Sequence, residues 1–79
     1  MNESDLNRLA DIFRTVLELE PDRDVSSVRQ LTEDKWDSLA HVSIVAAIES
    51  EFRLSLDSSE MERMTSFAAA GLIIEENIP

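Results

Sequence analysis

Three stretches of this chain repeat their apolar residues at the spacing of an α-helix, and almost nothing interrupts them. Leu6, Leu9, Ala10, Phe13, Val16 and Leu17 recur at intervals of three and four, placing one broad apolar stripe on a single helical face. A second helical stretch runs from about Ser38 to Phe52 or Arg53. The last starts at Thr65 or Ser66, passes through Ala68, Leu72 and Ile73, and frays near "EENIP". The chain has one glycine and two prolines, and few of its segments favour strands. Helices are what this pattern can build.

The boundaries carry their own signals. Asn2 or Ser4 can cap the first helix, Glu3 and Asp5 suit its first turn, and Pro21 is expected to end it. Residues 21–37 form a long connection in which Val25, Val28 and Leu31 are expected to pin the loop across the bundle. After the second helix, Leu54 and Leu56 alternate inward. Asp57, with Glu60 three residues on, opens a short third helix over Ser58–Arg63 as a capping box. The expected fold is all-α: a small four-helix bundle with a long loop between helices 1 and 2 and a short helix 3. At 79 residues the chain is one domain, 1–79.

Charge narrows the function. Seventeen acids against seven bases leave a net charge of −10. Such a surface repels nucleic acid and favours protein partners with basic docking patches. Without cysteine there is neither disulfide nor thiolate metal site. No apolar run is long enough to insert in a membrane, and "MNESDLNR" is unlike a signal peptide, so the expected location is cytoplasmic.

The second helix carries more apolar surface than a small bundle can bury. Ile44, Val45, Ile48 and Phe52 share one arc, whereas Leu39, Val42 and Ala46 fall on another ridge bordered by Ser43, Glu49 and Ser50. An exposed apolar ridge edged by acids fits a transient docking surface.

Ser38 stands at the head of that ridge, and three roles compete for it. It can cap the helix, though Asp37 would serve as well. It can be a nucleophile with His41 one turn away and Asp34 or Asp37 as orienting acids. Against that, the only glycine, Gly71, is remote, so no glycine turn supplies an oxyanion hole, and a chain this short hardly forms a substrate pocket. Third, Ser38 can be an acceptor that a separate enzyme modifies. That role needs only an exposed hydroxyl on a rigid helix start beside a docking surface, and it uses the long loop, the acidity and the ridge together. Trp36 is expected to close the end of the bundle and His41 to be packed or half-buried.

"DSL" at 37–39 opening a helix, followed by "VSIVAAIESEFRLSLDSSEMERMTSF", resembles the acyl carrier proteins and the carrier domains of polyketide and peptide synthases. The resemblance covers essentially the whole chain: Asp37, Ser38 and Leu39 match the Asp-Ser-Leu motif, Ile44, Ile48 and Phe52 the helix-two pattern, and "DSSEMERM" the short acidic third helix. It implies that a phosphopantetheinyl transferase moves 4′-phosphopantetheine from coenzyme A onto Ser38, with Asp37 and Leu39 flanking the attachment point. The cofactor thiol would then carry acyl groups as thioesters between acyl-activating and acyl-transferring enzymes, so the chain itself would need no cysteine. The carrier would be a monomer with no turnover of its own, docking through Leu39, Val42, Ser43, Ala46 and Glu49. The sequence departs from the family where "DKW" replaces a glycine before the aspartate, and where Ser43 and Ser50 replace common acids. Fatty-acid, polyketide and specialised lipid or envelope pathways all remain open.

Two readings from other classes stand beside this one. Asp22, Asp24, Ser26, Gln30 and Glu33 fall on calcium-ligand positions of an EF-hand loop, but Ser27 occupies the turn position that needs glycine. The other is an acidic helical adaptor that is never modified.

Overall fold

The computed structural model describes residues 1–78. Its first helix, α1 (Glu3–Val16), begins where the Asn2 side chain accepts the Asp5 N–H at 2.8 Å. The helix does not run on to Pro21. It closes three residues earlier, as Glu18 turns into the left-handed region at φ 54°. The Leu19 N–H reaches the Arg14 carbonyl at 2.9 Å and the Glu18 N–H reaches Thr15 at 3.4 Å, the paired bonds of a Schellman ending. Arg53, at φ 55°, plays the same part after α2 (Ser38–Phe52), where the Leu54 N–H bonds to the Glu49 carbonyl at 3.2 Å. Both stops are thus made by residues with a Cβ. The only glycine, Gly71, lies inside α4 (Phe67–Asn77).

The short α3 (Ser58–Arg63) forms as its sequence dictates. The Glu60 N–H donates to Asp57 at 2.7 Å, and the Asp57 N–H donates to Glu60 at 3.1 Å. Ser66 caps α4 by accepting the Ala69 N–H at 3.0 Å. That helix continues through Asn77, whose side-chain amide holds the Ile73 carbonyl, instead of fraying at the "EEN" stretch.

α1 packs against α2 and α4, and the 3₁₀ turn Val25–Ser27 in the long loop packs against α1 and α4. The core is Leu9 and Phe13 from α1, Leu17 just after it, Ile44 and Ile48 from α2, Met64 after α3, and Ala70, Ile73 and Ile74 from α4, all essentially inaccessible to water. Phe13 meets Trp36 and Phe67 edge-to-face, each at 5.2 Å between ring centres. Val25 and Val28 pin the loop as expected, but Leu31 does not: it is 98% exposed. The reason lies in its neighbours. The Gln30 N–H bonds to the Thr65 carbonyl at 2.9 Å and the Phe67 N–H to the Val28 carbonyl at 3.0 Å, and this backbone pairing carries the loop along the rim of the bundle. Leu6 and Leu72, both placed in helical stripes by their spacing, are also exposed.

Charged side chains tie the outer surfaces together. Arg8 joins α1 to α2 through Glu51 at 2.8 Å, pairs with Asp5 at 3.0 Å and lies 4.7 Å over the Phe52 ring. The hydrogen bond to Glu51 is the main reason its guanidinium holds its proton more firmly than usual. In the loop, the Ser26 hydroxyl and N–H both donate to Asp24 and hold its carboxyl below the usual range. The stability tied to that depression is therefore present above the unfolded-state value of 3.8 and is lost as pH falls through the lower folded value.

Two substitutions test this packing by chemical denaturation. Phe13→Ala is expected to cost about 3–5 kcal/mol, because it empties the contact shared by α1, the loop end and α4. Gly71→Ala is expected to stabilise by roughly 0.5–1 kcal/mol: the added Cβ meets only Met1 Sδ, at 3.8 Å, and helix propensity favours alanine. Loss of stability in the second variant would contradict the open space at that position.

Candidate functional site

The loop ends where Trp36 enters the core, only 3% exposed, and the next residue caps α2. Asp37 is the cap: its carboxylate accepts the Ala40 N–H at 2.8 Å from extended backbone. Ser38 is therefore the first helical residue and not the cap. Its side chain is exposed, and among the described residues its hydroxyl makes no hydrogen bond. The choice left open by the sequence, between aspartate and serine as cap, is settled by this bond.

His41 does not face Ser38 as a base. The Trp36 indole N–H donates to His41 Nδ1 at 3.0 Å, and the two rings stack with centres 6.0 Å apart. An indole nitrogen can only donate, so Nδ1 must be the acceptor. The remaining nitrogen, Nε2, then carries the hydrogen and donates to the Met61 carbonyl of α3 at 2.8 Å. With both imidazole nitrogens committed and Asp37 spent on the cap, the Ser38–His41–Asp37 set does not assemble.

The ridge beside Ser38 is open. Leu39 is 76% and Val42 64% exposed, and Ser43 and Ala46 are exposed with them. Ile44, Val45 and Ile48 are buried on the opposite arc, as their spacing requires, and Phe52 is half-buried. Glu49, expected at the border of this ridge, is less exposed than Leu39 or Val42. It is half-buried, and its carboxylate accepts the Leu56 N–H at 2.9 Å, fastening the turn after α2. Glu51, the other acid of that turn, is held by Arg8. Glu51 stays exposed while it makes this pair.

Two features were not legible in the sequence. The Glu49–Leu56 bond joins residues seven apart across a turn whose path only the fold sets. An open groove of about 440 Å³, lined by Val16, Glu18, Asp34, Lys35, Asp37 and Leu39, lies where the end of α1 meets the start of α2. Lys35 and Glu18 face each other there at 3.4 Å.

The EF-hand spacing does not produce a calcium cradle. Asp24 closes on Ser26, Glu33 pairs with Arg23 at 3.0 Å, and the Gln30 N–H is bonded to Thr65. Among the described residues no three His, Cys, Asp or Glu gather as a metal site. No helix of the described residues is long and apolar enough to cross a membrane.

Neither family models nor characterised proteins give a match to this chain.

The division of labour at the start of α2 is measurable. Asp37→Ala is expected to lower stability by about 1 kcal/mol, the usual cost of losing a cap. Ser38→Ala is expected to stay within about 0.5 kcal/mol of wild type, as for an exposed side chain without a bond. Urea unfolding of the two variants side by side checks this, and a larger loss at Ser38 would return the capping role to the serine.

Proposed function

We propose that this chain is an acyl carrier protein and that Ser38 is the attachment point for 4′-phosphopantetheine. The observation that carries the reading is the Ser38 hydroxyl. It is exposed at the first turn of a rigid helix, with no structural duty because Asp37 holds the cap. A modifying enzyme needs that position: predictable, accessible and dispensable to the fold.

The residues present fit the group. The N–H groups of the first turn and the helix dipole favour a phosphodiester on Ser38 Oγ. A phosphopantetheinyl transferase would bring coenzyme A and the base. Ser38 Oγ would give up its proton and bond to the phosphorus as the pyrophosphate linkage breaks and the adenosine bisphosphate leaves. His41, bound at both nitrogens, takes no part. Once attached, the group supplies the thiol that carries acyl chains as thioesters, in a chain with no cysteine of its own.

Leu39, Val42 and Ala46 give the transferase and the acyl-handling enzymes an apolar ridge next to the acceptor oxygen, with Ser43 beside it. Glu49 is half-buried and bonded to the Leu56 N–H, so close contact on this helix rests mainly on the ridge. The net charge of −10 acts at longer range, steering the carrier toward basic docking patches. The acyl group is of fatty-acid, polyketide or specialised lipid or envelope type.

Incubation with coenzyme A and a broad-specificity phosphopantetheinyl transferase is expected to add one phosphopantetheine to the intact mass of the wild type and none to Ser38→Ala. No gain beside a labelled control carrier would leave an unmodified adaptor as the reading. Val42→Asp is expected to slow labelling about tenfold, equivalent to roughly 1.4 kcal/mol of docking. Leu31→Asp, exposed but remote in the loop, is expected to label at the wild-type rate; equal rates in all three proteins would remove the ridge from the docking surface.

A further inference from the structure

Trp36, His41 and the Met61 carbonyl form a chain of two hydrogen bonds that ties the end of the loop to α2 and α2 to α3. It crosses the bundle beside Ser38, with Trp36 two residues before the serine and His41 three after. α3 has no buried residue of its own, and besides this link the half-buried Met61 side chain and the Glu60–Asn77 bond hold it to the bundle. We propose that it is a proton-sensitive latch, closed when His41 is neutral and released when His41 takes up a proton.

The argument rests on donor and acceptor roles. The indole N–H has no alternative to donating, and the carbonyl none to accepting, so only the neutral imidazole with its hydrogen on Nε2 serves both. A proton on Nδ1 sets one N–H against another at 3.0 Å, and the Trp36 bond must open. The Nε2 bond to Met61 survives protonation, so the break falls between the loop and α2.

Among the described residues, no charged side chain on these elements is hydrogen-bonded to His41 to offset that break. On its own helix, Asp37 bonds the Ala40 N–H. On the loop, Glu33 pairs with Arg23 and Lys35 with Glu18, while Asp34 is exposed along the groove. On α3, Glu60 is held by the Asp57 N–H and by Asn77, Arg63 pairs with Glu76, and Glu62 is exposed. None is hydrogen-bonded to the imidazole.

The chain makes the test clean, because His41 is its only histidine and Trp36 its only tryptophan. Between roughly pH 8 and pH 5, the interval in which imidazole normally changes charge, three signals are followed by NMR and fluorescence. These are the His41 ring-proton shift, the Trp36 emission maximum and the exchange protection of the Trp36 indole N–H relative to its intrinsic rate. Far-UV circular dichroism reports the helices. As His41 titrates, the emission is expected to move to longer wavelength and the protection to fall about tenfold or more, with helicity unchanged. His41→Gln retains an acceptor and a donor but has no proton to gain, and its signals are expected to stay flat. A tryptophan unchanged while His41 titrates, a His41 neutral throughout, helices lost together with the latch, or the same transition in His41→Gln would each overturn the proposal. The wild-type series alone decides the matter if the variant loses its helicity.

Discussion

The edge-to-face contacts of Phe13 with Trp36 and Phe67 fix the rest of this molecule. One ring on α1 meets the last loop residue before the cap of α2 and the first residue of α4, so three chain segments far apart in sequence are set against one another. Aromatic pairs hold both distance and angle, unlike a general apolar contact. Seating Trp36 fixes where the long loop ends. Asp37 and Ser38 follow immediately, so the helix start inherits its place from the core.

From that anchor the start of α2 divides its tasks among neighbours. Trp36 is buried, Asp37 accepts the Ala40 N–H as the cap, and Ser38 points outward with nothing to do in the fold. Further along, the same helix turns Ile44 and Ile48 inward and leaves Leu39 and Val42 in water. An exposed ridge of that kind is a cost to solubility, and a surface carrying a net charge of −10 offsets it.

Where local sequence rules gave way, hydrogen bonds or packing formed in the fold decided the outcome. Pro21 would end a helix on its own, yet Glu18 does so first, because Leu19 and the loop beyond it must turn back toward the core. Leu31 fits an inward pattern with Val25 and Val28, but the backbone pairing of Gln30 with Thr65 holds it out. Glu49 looks like a surface acid on a docking face until the turn after α2 brings the Leu56 N–H to it. In each case the residue type was compatible with both outcomes, and a bond formed in the fold decided between them: local at Glu18, across a turn at Glu49, and from a distant segment at Gln30.

The sequence by itself determined the helices, since apolar spacing, the near absence of glycine, and local caps such as Asn2 and the Asp57–Glu60 box act within a few residues. It also marked the stretch around Ser38, because surplus apolar residues on one helix are countable without coordinates. Only the tertiary structure decided that Asp37 and not Ser38 holds the cap, that His41 is bonded to Trp36 and Met61, and that both acids near the end of α2 are occupied. Hydrogen bonds depend on direction and on distances of about 3 Å. Spacing along a chain sets which face a side chain occupies, but which partner it finds across the bundle is set by how the helices pack.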